Sequence, residues 1–404
     1  MGPVLLFSMA EPGHVHRLLP LARGLAARGT EVHAFTDAAF RKPVEGAGAV
    51  FHDLFAGRPL AAADVACLPV PSRLVSFAGR FGDAVAADAA ALRPSLVVHD
   101  TFAVVGRVVA GRLGVPRVNV CAGHDVRPDR FLEALAQDPR VRVAPECHEA
   151  VEVLRTRHGL ADASPFSYVD GLSRDLNVYC EPPQFLDDEA RRAFEPVAFF
   201  GSLPADPGAP RNGRARPGPL RVYASFGTVV WRYYAPEARA ALAALADAFA
   251  SVHGLSSVLA LGRAPVDAAA LARPNVAVEP YVDQWSVLAG TDVFVTHHGL
   301  NSTHEAIWHG VPMLSYPFFW DQPALAAKCR DFGLAVPLAD APRGPLAPDG
   351  VRAALEDLCG RWASLEEALS RARSWERAVV GGRGAVIDRI LALRRPRTPP
   401  QHHF

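Results

Sequence analysis

Residues 281–337 hold the chain's densest set of side chains able to do chemistry. An apolar run, Val293, Phe294 and Val295, ends at Thr296-His297-His298-Gly299, and a helix is expected to begin near Asn301-Ser302-Thr303 with Glu305 in its first turn. A strand, a glycine turn and a helix amino terminus in that order expose unpaired N–H groups and about half a positive charge, enough to dock a diphosphate without lysines or a metal. His297 can add a donor to the same phosphates. The structural alternative is that Ser302 or Thr303 caps the helix, with Glu305 completing a capping box from Ser302. After the next apolar run, Pro317-Phe318-Phe319-Trp320 leads to Asp321 and Gln322 at another strand's carboxyl end, where open α/β sheets bind ligands.

His297, His298, His304 and His309 also raise a metal site as a competing reading. Their spacing argues against it. Three residues separate Glu305 from His309, where H-E-x-x-H has two, and a pair of side chains five apart does not share a helix face. No D-x-D triplet is present to hold a divalent ion against a diphosphate, so no metal cofactor is expected. Lysine occurs only at Lys42 and Lys328, neither of them in a P-loop. The turn after the first apolar run, SMAEPGHVHR, carries one glycine where a dinucleotide site needs G-x-G-x-x-G, and no G-x-S-x-G elbow occurs. A nicotinamide dehydrogenase and an α/β-hydrolase are both poorly supported.

Turns of this kind need alternating strands and helices to place them. VLLFS reads as a buried strand, Val15, Leu18, Leu19, Ala22 and Leu25 repeat at helical spacing, and EVHAFT, SLVVHD and VPRVNV continue the alternation. After a stretch rich in Pro, Gly and Arg the pattern restarts with RVYASFG, an Ala/Leu helix over 235–252, SVLALG, DVFVTHHG and VPMLSYP. The expected fold class is α/β, with two Rossmann-like, doubly wound parallel sheets. The expected boundaries are a first domain over 1–203, a linker over 204–219 and a second domain over 220–374. A helix over 375–394 is expected to cross back to the first domain, followed by a disordered tail over 395–404.

Composition narrows the class further. The 404 residues are half hydrophobic, and 42 basic side chains balance 42 acidic ones, so no global field recruits nucleic acid or an anionic membrane. Six cysteines without a C-x-x-C pair suit a reducing compartment. The amino terminus has no basic leader and no apolar window approaches about 18 residues, so a cytoplasmic protein without a membrane span is expected. Arginine in place of lysine, with abundant Ala, Gly and Pro, points to a GC-rich, actinobacterial genome.

Residues 281–337 resemble the nucleotide-sugar signature of glycosyltransferase family 1, the group that contains antibiotic, macrolide and plant natural-product glycosyltransferases. The resemblance implies a GT-B architecture, two Rossmann-like domains facing a central cleft, with the acceptor bound by the first and the nucleotide sugar by the second. It implies that Tyr281 stacks on the base, with Val282 and Gln284 beside it. His297, Gly299, Asn301, Ser302 and Thr303 would receive the phosphates, Glu305 the ribose hydroxyls, and Asp321 with Gln322 the sugar hydroxyls. Ser225-Phe226-Gly227-Thr228 resembles the family's serine-glycine-threonine turn near the leaving-group oxygen, with an ordinary strand-end turn as the alternative. His298, Leu300 and the absence of Pro before Gln284 depart from the family's usual residues. With Tyr at the stacking position, dTDP or UDP sugars are expected ahead of GDP sugars.

Glu11-Pro12-Gly13-His14 resembles the family's Gly-His motif that presents a general base. An imidazole with a pKa near 6.5 can take a proton from an alcohol at neutral pH if a carboxylate fixes its tautomer, and Asp100 ends the strand SLVVHD where it could do so. The structural alternative makes Asp100 the N-cap of the next helix. His16 competes less well, because two residues on it lies on the other side of a helix. Phe55, Phe77, Phe81, His124 and Phe166 are the candidates for an aglycone pocket, against the alternative that they fill the core. The expected activity is metal-independent, inverting transfer of a sugar to a hydroxyl of a secondary metabolite by a monomer or homodimer. The competing functions are a catalytically silent nucleotide-sugar-binding partner of a transferase, and an epimerase or hydrolase of the same fold.

Overall fold

The structure is a computed structural model that describes residues 1–60, 72–121, 123–137, 141–210 and 219–394. The tail 395–404 and the linker residues 211–218 lie outside the described residues. The chain divides into two units, Met1–Ala205 with Val379–Phe404, and Asp206–Ala378.

The first unit is built on β1 (Val4–Phe7), β2 (Val32–Thr36), β3 (Val50–Asp53), β4 (Leu96–Asp100), β5 (Arg117–Val120), β6 (Leu176–Tyr179) and β7 (Val197–Phe199). All pairings are parallel, in the order β3-β2-β1-β4-β5-β6-β7. The central strands VLLF and LVVHD are buried at every position, as expected where helices cover both faces of a parallel sheet. Chain order reverses between β1 and β4, where Phe7 pairs with His99. The residues following Phe7 and His99 therefore leave the sheet side by side at its carboxyl edge.

The second unit repeats the plan with β8 (Leu220–Ser225), β9 (Leu255–Ala260), β10 (Val276–Glu279), β11 (Val293–Thr296), β12 (Met313–Ser315) and β13 (Ala335–Pro337). They pair in parallel in the order β10-β9-β8-β11-β12-β13. Its core packs Leu242, Leu245 and Phe249 of the helix Ala235–Ala250 with Val222, Val295 and Leu314 of the sheet. The reversal falls between β8 and β11. Ser225 pairs with both Thr296 and Ala260, and Thr296 with Ser315, so four turns emerge together. A carboxyl edge at a reversal of strand order is where open α/β sheets bind ligands.

The long helix Trp362–Ala392 belongs to both units. In the second, Glu376 is fully buried and its Oε1 lies 2.5 Å from His304 Nδ1. In the first, the Arg383 guanidinium donates to the carbonyls of Phe200, Leu203 and Pro204. No helix among the described residues is long and apolar enough to cross a membrane.

Candidate functional site

In the first unit, β1 is followed by the helix Pro12–Ala26, with Pro12 at its first position and Glu11 as N-cap. Proline is pre-organised for that place, because its ring fixes φ and the N–H it lacks would be unpaired there. His14, two residues later, places Nδ1 2.7 Å from Asp100 Oδ2 at the end of β4. Asp100 is fully buried, and its other oxygen accepts from Phe102 N at 2.8 Å. Burial pushes its carboxyl up, but the His14 imidazole, Arg17 and the Phe102 amide outweigh it and hold the group below the ordinary Asp range. An ionised Asp100 keeps the ring proton on Nδ1 and leaves the Nε2 lone pair as a base.

The alternative role for Asp100 does not hold. The following helix, Val105–Leu113, starts five residues later with Val104 as N-cap, and Asp100 closes the intervening turn through Phe102. His16 is exposed. Two rings near the pair carry no signal in the sequence, Phe102 at 4.8 Å from His14 and Tyr168 packed on Phe102 at 5.5 Å; Phe166, expected at the acceptor site, packs on Tyr168 at 6.4 Å.

The other aromatic candidates divide. Phe55, Phe77 and Phe81 form their own stack, with Phe77 in the core. His124 is buried, and its Nδ1 meets Glu181 Oε2 at 2.9 Å.

In the second unit the helix Leu300–His309 begins earlier than expected, with Gly299 as N-cap. Two expectations change with it. Glu305 falls in the second turn, and the Ser302–Glu305 capping box gives way, since Ser302 Oγ instead accepts from Gln284 Nε2 at 3.0 Å. The first amide bonded back into the helix is that of Thr303, to Gly299 O at 3.0 Å. The amides of Leu300 and Ser302 precede any intrahelical carbonyl and face out from the helix start, where an anion can dock.

His297 lies between two glycines. A Cβ at Gly227 would approach its Nε2 to 2.9 Å, and one at Gly299 to 2.5 Å. Burial drives its pKa down to about 4, so the ring is neutral at pH 7 and can act on phosphate as a hydrogen-bond donor, not as a charge. Gly227, at φ 69°, also donates its N–H to Ser225 Oγ, and Thr228 beside it is half-buried.

His298, noted in the sequence only as a departure, is a fully buried bracket at φ 60°. Its Nε2 meets Ser315 Oγ at 2.6 Å and its Nδ1 meets Thr303 Oγ1 at 3.2 Å, tying the turn to β12 and to the helix. Burial, and secondarily His297, lowers its pKa to about 3. His304 meets Glu376 and His309 packs on the Trp285 ring at 4.5 Å, and no three metal-ligating side chains come together among the described residues.

Gln284 is the hub of the remaining network. Its Nε2 donates to Glu305 Oε2 at 2.7 Å as well as to Ser302, and its Oε1 accepts from the Tyr223 hydroxyl at 3.4 Å. Burial raises the Glu305 carboxyl to about 7 against the opposing Gln284 bond. Tyr281 stands 54% exposed next to the half-buried Val282, with the Arg263 guanidinium 4.4 Å from its ring centroid. Asp321 and Gln322 are both buried, and Gln322 Oε1 accepts from the amides of Phe318 and Phe319, at 2.9 and 3.3 Å. That carbonyl shapes its own loop, leaving the Gln322 amide group as a polar end there.

Residues 220–360, which contain this whole second constellation, match the family model described as UDP-glucoronosyl and UDP-glucosyl transferase. The chain is a GT-B glycosyltransferase. The glycosyltransferase is 27% identical to oleandomycin glycosyltransferase of Streptomyces antibioticus over 83% of this chain and 79% of that one. The structure titled as the glycotransferase of kitacinnamycin matches 98% of it, and 99% of its own chain, at 25% identity and a TM-score of 0.74. The fold is shared with glycosyltransferase VinC, solved in complex with dTDP, at 20% identity and a TM-score of 0.67 over 96% of this chain and all of that one.

Proposed function

We propose that this glycosyltransferase moves a sugar from a nucleoside-diphosphate sugar to a hydroxyl of a secondary metabolite, with inversion at the anomeric carbon. The nucleotide class comes from VinC's dTDP and from the family described by its uridine-diphosphate donors. Within that class dTDP or UDP stands ahead of GDP. The second unit holds the donor, and the first supplies the acceptor site and the base.

His14 Nε2 takes the acceptor's proton as its oxygen attacks the anomeric carbon. The bond from that carbon to the diphosphate breaks, the nucleoside diphosphate leaves with the electron pair, and Asp100 stabilises the imidazolium. Negative charge gathering on the departing phosphate meets the amides of Leu300 and Ser302 and the His297 ring, dipoles already in place before reaction. Asp321 and Gln322 take the sugar hydroxyls, and Glu305 the ribose. The observation that carries the mechanism is the 2.7 Å contact of His14 with a buried, ionised Asp100. A merely binding partner has no need of a base held in one tautomer.

Incubation with UDP- or dTDP-α-glucose in chelator, with and without a panel of polycyclic and macrolide alcohols, tests this reading. The expected outcome is a β-glycoside and one nucleoside diphosphate released per product, only when an alcohol is present. Equal donor breakdown without acceptor would leave a hydrolase or epimerase, and an α-linked product would remove the inverting mechanism.

Donor binding should also depend on pH. Glu305 with a pKa of about 7 is mostly carboxylate at pH 8 and mostly acid at pH 6, and the carboxylate is the better acceptor for two ribose hydroxyls. Nucleotide affinity is expected to fall as pH drops from 8 to 6, approaching about tenfold per unit below 7 if only the ionised form binds. Calorimetric titration of Glu305→Gln should give a flat profile over the same range; an equally steep one would assign the dependence elsewhere.

A further inference from the structure

We infer that Arg263 is a base-reading residue, supplying hydrogen-bond donors to a carbonyl oxygen of the donor's nucleobase while Tyr281 supplies the stacking face. This rests on the reading that the second unit binds a nucleoside diphosphate, and it names the part of that site which tells one base from another.

Arg263 does not sit on the surface by default. It follows Gly262 in the turn after β9, and at φ 65° it occupies the left-handed region that a bulky side chain enters only when its surroundings impose it. Two contacts impose it here. The Arg263 N–H donates to Pro280 O at 2.7 Å, locking this turn to the one after β10 that carries Tyr281. On the other side the backbone closes on the Gly227 turn so tightly that a Cβ at Gly262 would fall 2.2 Å from Gly227 O. A glycine chosen for close approach and a strained arginine next to it thus aim the guanidinium at the Tyr281 ring, 4.4 Å away.

Among the described residues Arg263 forms no ion pair, and its guanidinium lies over the Tyr281 ring. Tyr281 is, among the described residues, one of three large apolar side chains that stand exposed, the others being Met1 and Val50. An exposed ring with a planar cation beside it is a stacking platform with a hydrogen-bonding edge, as used for single bases. The platform is wired to the phosphate end: Gln284, three residues after Tyr281, bonds both Ser302 and Glu305 on the helix Leu300–His309.

The chemistry selects the base. A guanidinium only donates, so it rewards a base that presents carbonyl oxygens. Uracil and thymine present two and guanine one, whereas adenine presents none. The cation–π contact with Tyr281 is exposed and therefore weak, so the guanidinium can leave the ring face to an incoming base and turn to its edge.

The test is calorimetric titration of UDP, dTDP and ADP against the wild-type chain, Arg263→Ala and Arg263→Lys, with melting temperatures to confirm folding. The wild type should prefer UDP and dTDP over ADP, and Arg263→Ala should shrink that preference about 5- to 50-fold, the effect of losing one or two hydrogen bonds. Arg263→Lys should restore little of it, since a point charge lacks the planar fork. An unchanged preference, or equal losses for all three nucleotides, would overturn the inference by making Arg263 a bystander or a general phosphate attractant. Failure of the wild type to bind any nucleotide would instead bring down the donor reading on which the inference rests.

Discussion

Replacing His14 with alanine is expected to lower kcat by about 10²- to 10⁴-fold, the usual contribution of a positioned general base, while leaving the dissociation constant for the nucleotide donor unchanged. The split follows from where the side chains lie. His14 and Asp100 belong to the first unit and every donor candidate to the second, so removing the imidazole touches no group assigned to nucleotide binding. Asp100→Asn should move in the same direction, because an amide keeps the hydrogen-bonding shape but cannot offset a positive charge on the ring. Asp100 is fully buried and also holds the Phe102 amide, so that variant needs a check of its melting temperature. His14 is partly exposed, which makes it the cleaner substitution. Steady-state kinetics with a saturating donor would decide the matter, and a His14→Ala enzyme running at full rate would remove the base assignment.

Gly299→Ala should be nearly as damaging by a different route. The backbone at Gly299, φ −62° and ψ 141°, suits alanine, so no dihedral strain is involved. The added methyl would lie 2.5 Å from His297 Nε2, closer than carbon and nitrogen tolerate, and would displace a ring buried against Gly227 on its other side. It would also crowd the amides of Leu300 and Ser302 at the start of the helix. Hydrogen bonds to a charged group contribute about 1.5–3 kcal/mol each. Losing one on the diphosphate should therefore weaken nucleotide binding about 10- to 100-fold, with the melting temperature of the unliganded protein little altered. Titration with UDP or dTDP would check it, and wild-type affinity in Gly299→Ala would show that the diphosphate binds elsewhere.

How much of this was legible in the sequence depended on whether a residue's neighbours were local. The eight strands read from apolar runs include the four that flank the two reversals of order, β1, β4, β8 and β11, because strands covered on both faces are continuously hydrophobic. Of the strands not read, β3, β7, β10 and β13 are the four sheet edges. They are short and half-covered, so VFHD, VAF, VAVE and AVP carry no such run. The fifth, β6, hides behind Asn177, a polar residue made acceptable in the core by bonds to the Ser173 and Phe194 carbonyls.

The candidate site divides the same way. His14 and Asp100 were found because each ends or follows a strongly apolar strand, but their contact spans 86 positions and only the sheet order brings it about. The helix start was misplaced by the Ser-Thr pair, which looks like a cap but serves other bonds: Ser302 to Gln284 and Thr303 to His298. Arg263, Phe102 and Tyr223 could not be found from spacing at all, since each acts through a ring or a hydroxyl contact with a residue distant in sequence or one turn away.

The central claim is that a diphosphate binds at the amino terminus of the helix Leu300–His309. A crystal structure of the chain with dTDP or UDP tests it most directly. Phosphate oxygens are expected within hydrogen-bond distance of the amides of Leu300 or Ser302, with His297 beside them. A diphosphate bound in the first unit, or in the second but away from that helix end, would contradict it.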